Sequence, residues 1–134
     1  MKKFNTVIFL SFISIITSLY SDSYSQLSGN YIIGTGGNYL NISSAVNDLN
    51  TNGVNGPVIF NIRSGSYNEY FTISSFPGSS SVNTVTIRSQ SGNASDVILI
   101  SDAADSVLLK INGADNIKLD NITFTDTINS TSQR

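Results

Sequence analysis

Five of the side chains best suited to chemistry crowd towards one end of the chain: Asp102, Asp105, Asp115, Asp120 and Asp126. Converging carboxylates suit Ca²⁺, a hard cation that takes oxygen ligands. Their spacing matches no dedicated loop such as the EF-hand pattern, and aspartate beside Asn, Ser or Gly is also a common turn former. The chain is therefore expected to hold no cofactor and no metal, with Ca²⁺ on these aspartates as the alternative. Glu69 closes the segment Gly65-Ser-Tyr-Asn-Glu69. Hydrolysis of a glycosidic bond uses two facing carboxylates, and Glu69 has no such neighbour in sequence, so a structural role is expected for it. Gly34-Thr-Gly-Gly37 lacks the third glycine of the dinucleotide pattern and the lysine of the phosphate loop, and reads as a tight turn. Tyr31, Tyr39, Tyr67 and Tyr70 could stack on sugars, yet tyrosines at strand edges are common core and rim residues. No catalytic residue is assigned, and ligand-binding residues stay unassigned.

Composition narrows the chemistry further. The chain has no histidine and no cysteine. This excludes a histidine base, a Cys/His zinc site and disulfide staples. Lys2 and Lys3 precede an uncharged stretch from Val7 to Tyr20, and Ser23-Tyr24-Ser25 places small residues before Gln26. That layout predicts a secretory signal peptide over residues 1–25, too short in its apolar part to span a membrane. A secreted or cell-surface product of 109 residues, 26–134, is expected. It carries five basic and eight acidic residues without a basic cluster, which argues against nucleic acid and anionic membranes as partners.

Elements must position whatever chemistry remains. Ile42, Ala45, Val46 and Leu49 form one stripe of a helix over about 42–50. Asn41 or Ser43 could cap its start, and Asn52-Gly53 ends it. Short β-branched runs follow at 58–62, 70–73, 85–88, 97–100, 107–111, 117–119 and 122–125, most separated by turn residues. Hairpin dipeptides are scarce between them, and Val85 to Val107 and Val97 to Ile122 are separated by 22 and 25 residues. These spacings lie in the range of a solenoid repeat. Asn93, Asn112, Asn116 and Asn121 fall in turns, where stacked asparagines could form ladders.

Four segments carry a family resemblance: Ile33-Gly-Thr-Gly-Gly-Asn-Tyr39, Ile42-Ser-Ser-Ala-Val46, Val58-Ile-Phe-Asn-Ile62 and Gly65-Ser-Tyr-Asn-Glu69. They resemble the start of pectin-lyase-like β-helix proteins, which include pectin methylesterases and long bacterial surface proteins. Gly113 to Phe124 is similar to a typical coil of that family. The resemblance implies an all-β fold: a right-handed parallel β-helix with a short N-terminal capping helix, coils over about 58–125, and an incomplete C-terminal end. It also implies a bacterial source.

Two expectations follow for the region after Thr125. Either further coils belong to a longer protein, which is favoured, or another chain covers the open end; otherwise the product is monomeric. On the first account the chain is the front of a β-helix protein that binds or processes extracellular polysaccharide, with any lyase, esterase or glycosidase site beyond Arg134. The alternatives are a non-catalytic adhesin or structural surface module, and a truncated product without independent function.

Overall fold

The computed structural model describes residues 25–101 and 107–126. The proposed signal peptide lies outside this range except for Ser25, as do Asp102, Asp105 and the side chain of Asp126.

Local chemistry sets the helix. Ile42–Asn52 forms α1, three turns that run slightly past the expected end at about residue 50. Asn41 is extended at the N-cap, and its side chain accepts from the Ser44 N–H at 2.8 Å. At the other end Gly53 adopts φ 68° and donates its N–H to the Leu49 carbonyl at 2.9 Å. That backbone conformation favours glycine. Ile42, Ala45, Val46 and Leu49 are all buried, so the helix depends on its apolar stripe being covered.

Among the described residues nine strands surround the core: β1 (Leu27–Ile33), β2 (Val54–Ile62), β3 (Gly65–Tyr67), β4 (Phe71–Ser74), β5 (Val85–Ser89), β6 (Val97–Ser101), β7 (Leu109–Asn112), β8 (Ile117–Asp120) and β9 (Thr123–Asp126). They make three small sheets, ordered β1-β2-β5-β8, β3-β6-β9 and β4-β7. Each pairing between neighbouring strands is parallel. Alternation decides which side faces in. Val58, Phe60 and Ile62 of β2, Val85 and Ile87 of β5, and Val97 and Leu99 of β6 are buried beside the helix stripe. Burying such an aliphatic or aromatic side chain contributes about 1.5–3 kcal/mol.

The expected all-β, right-handed parallel β-helix is corrected by this arrangement. A helix of three turns supplies four core residues, and the strands fall into separate sheets of four, three and two, which makes the fold partly α/β. Nor is there a constant repeat. Ile98 pairs with Thr123, Val58 with Val85, Gly65 with Val97 and Phe71 with Leu109, so separations run from 25 to 38 residues. Val85 pairs with Ile117 and not with Val107, which lies outside any strand. The physical reason is the unequal connections: two residues join β2 to β3, whereas ten join β4 to β5. Solenoid repeats need neighbours of like size.

The ten-residue connection is itself tied down. Val54 donates its N–H to the Pro77 carbonyl at 2.9 Å. Gly78 lies so close that a Cβ there would collide with the Val54 carbonyl oxygen.

Candidate functional site

The residues singled out in sequence are mostly built into the scaffold. Glu69 follows β3 and reaches the start of α1, where its carboxylate accepts from the Ser43 N–H at 2.8 Å, the Ser43 hydroxyl at 2.7 Å and the Ile42 N–H at 3.2 Å. A carboxylate at a helix N-terminus satisfies orphan donors and complements the helix dipole. Gly34-Thr-Gly-Gly37 is a turn: Gly37 donates to the Gly34 carbonyl at 2.8 Å, and Arg63 donates to the Thr35 carbonyl.

Three of the four tyrosines pack inward and do not make a stacking platform. Tyr31, Tyr39 and Phe60 form an aromatic triad with centroids 5.7–5.8 Å apart. The Tyr39 hydroxyl donates to Asp48, which also accepts from the Asn52 amide. Burial, reinforced by the Asp48 carboxylate, pushes the Tyr39 hydroxyl well above the ordinary tyrosine range. Tyr67 donates to the Arg63 carbonyl at 2.8 Å and is likewise raised, first by burial and then by the nearby Glu69 charge, with Arg63 opposing. Tyr70 is exposed.

Of the five aspartates, only the side chains of Asp115 and Asp120 lie among the described residues. Among the described residues no three His, Cys, Asp or Glu side chains cluster as metal ligands would. The Asp115 carbonyl accepts from Ser79, and Asp120 pairs with Lys118. The turn asparagines form no mutual ladder among the described residues. Instead Asn93 caps the short 3₁₀ turn at Ala94–Asp96, and Asn116 donates to Ser79. Asn116 and Asn121 hold φ of 59° and 52°, a conformation asparagine tolerates better than most residues.

What sequence reasoning missed is the outer face of the four-stranded sheet. Because Val58, Phe60 and Ile62 point inward, Ile59 and Asn61 point outward. The parallel register then lines up two rows across the strands: Asn30, Ile59, Thr86 and Lys118, and Ile32, Asn61, Arg88 and Asp120. Neighbours along a row lie about 4.8 Å apart. The second row is braced. Asn61 donates to the Tyr31 carbonyl at 3.4 Å and accepts from Arg88 Nε at 2.9 Å, and Lys118 lies 3.1 Å from Asp120. Arg88 is half-buried and donates through Nε to Asn61. These residues are 27 to 32 positions apart in sequence, so no local motif announces them.

No helix among the described residues is long and apolar enough to cross a membrane. No family model matches the chain, and neither a curated protein nor a solved structure matches it.

Proposed function

We propose that the chain is an exported, non-catalytic surface module that binds polysaccharide along the outer face of its four-stranded sheet. The observation that carries this reading is the braced row Asn61–Arg88–Asp120. It sets planar donors and acceptors at the regular spacing of parallel strands. Amide, guanidinium and carboxylate groups can each make paired hydrogen bonds, and a repeating ligand rich in hydroxyls offers matching partners. The Gly-x-Tyr-x-Glu and glycine-rich segments that resemble pectin-lyase-like proteins support carbohydrate as the ligand class.

The test is retention of the secreted chain on a panel of acidic and neutral polysaccharides, with Asn61→Ala and Arg88→Ala in parallel. Retention on at least one polymer, lost in the variants while their melting curves persist, supports the proposal. No retention on any polymer, or unchanged retention by both variants, overturns it. No release of reducing ends or unsaturated products is expected.

A second reading, a structural spacer without a ligand, is favoured by one observation. Glu69, Asp48 and Arg63 are engaged in holding α1 and the glycine turn in place. On that reading the polysaccharide panel retains nothing.

A further inference from the structure

The two ends of the sheets differ in how their edges are treated. At the helix end the edges of β4 and β1 are met by side chains and turns. Asn50 of α1 donates to the Thr72 carbonyl at 2.8 Å and accepts from the Ser74 N–H at 3.0 Å, standing in for a neighbouring strand along β4. On β1, Ile32 donates to Asn38 at 2.8 Å and accepts from the Tyr39 N–H at 3.1 Å. At the opposite end, among the described residues, β7, β8 and β9 are each the last strand of a sheet. Among the described residues no hydrogen bond reaches the outer edge of β8. Beside it Ile111 and Phe124 are 51% and 47% exposed. An unpaired edge next to exposed apolar side chains is a template for pairing with another strand.

We propose that β8 is a homodimerisation strand, pairing antiparallel with β8 of a second copy about a two-fold axis through Leu119. Charge selects this occupant. Lys118 and Asp120 lie two residues apart on the solvent face of β8, with side-chain exposures of 65% and 35%. Charge of one sign on an edge strand would repel an identical strand. Two opposite charges flanking Leu119 do the reverse in this register: Lys118 faces the second copy's Asp120, Asp120 faces its Lys118, and Leu119 meets Leu119 on the apolar side. Directly opposed unlike charges stabilise an antiparallel pair, and like charges destabilise it. A two-fold interface requires this self-complementarity. Association would also join the two polar outer faces into one continuous sheet, although the proposal stands without any polysaccharide ligand.

The experiment is sedimentation of the purified secreted chain over a concentration series, with melting curves to confirm that each variant folds. The parent chain is expected to dimerise. Lys118→Asp and Asp120→Lys alone each place like charges opposite one another twice and weaken the dimer about tenfold or more. Mixing the two single variants restores association, since the heterodimer again opposes unlike charges, and the exchanged double variant K118D/D120K dimerises like the parent. A parent that stays monomeric means that other residues of the chain or a different partner cover the edge, and overturns the proposal. Dimerisation insensitive to both single variants, or single variants that do not associate when mixed, overturns it equally.

Discussion

The carboxylate of Glu69 grips Ser43 twice, accepting from its N–H at 2.8 Å and its hydroxyl at 2.7 Å across 26 residues of chain. This clamp joins the segment between β3 and β4 to the start of α1. It holds the helix stripe against the core, and it takes up the one acid that sequence alone might have assigned to catalysis.

Removing the clamp should loosen the helix. Glu69→Ala is expected to cost about 1–3 kcal/mol, because charge-assisted hydrogen bonds to partly buried donors are lost together. Glu69→Gln keeps an acceptor and should cost less. Urea unfolding of both variants checks this, and equal losses would mean that the negative charge contributes more than the hydrogen-bond geometry.

Asn50 offers a second test of the helix end. Its amide matches one donor and one acceptor of β4. Asn50→Asp retains shape but removes the donor to the Thr72 carbonyl, and should destabilise by about 1 kcal/mol or more. Amide exchange at Ser74 should quicken in Asn50→Ala, which lacks the acceptor for that N–H.

Two glycines separate conformational strain from collision. Gly78 and Gly92 both hold positive φ, 84° and 76°, so alanine is disfavoured at each. A Cβ at Gly92 meets nothing within 4 Å, whereas one at Gly78 meets the Val54 carbonyl. Gly92→Ala should cost about 1 kcal/mol. Gly78→Ala should cost clearly more and shift the Val54–Pro77 contact. Thermal melts of the pair measure the difference.

Stability should decline at high pH. The Tyr39 hydroxyl is raised in the folded chain by burial and by Asp48. Its contribution is therefore full below the unfolded tyrosine value, about 10, and falls away as pH rises above it. Tyr67 is raised in the same direction. Unfolding free energies measured from neutral pH upward should show a negative slope above about pH 10. Tyr39→Phe should make that slope shallower, since phenylalanine cannot ionise.

Much of the local structure was legible. The spacing of Ile42, Ala45, Val46 and Leu49 marked the buried face of α1 and Gly53 its end, while the structure chose Asn41 over Ser43 as the N-cap. The apolar runs marked most strands. β1 and β3 were not read as strands: the first mixes glycine and polar residues into its run, and the second is three residues within the Gly-x-Tyr segment.

Partner choice was legible in one of two cases: the 25-residue spacing from Val97 to Ile122 is the register in which β6 pairs with β9. The 22-residue spacing from Val85 pointed to Val107, yet the chain pairs Val85 with Ile117. Side-chain periodicity reports which way a residue faces. It does not report which distant strand lies alongside, because connection length and global packing decide that. The same holds for Glu69 against Ser43 and for Arg88 against Asn61, bonded across 26 and 27 residues. Sequence alone thus determined a helix stripe over about 42–50 and a set of short apolar strands. Tertiary structure decided that they close into three unequal parallel sheets, and that distant polar residues share one outer face.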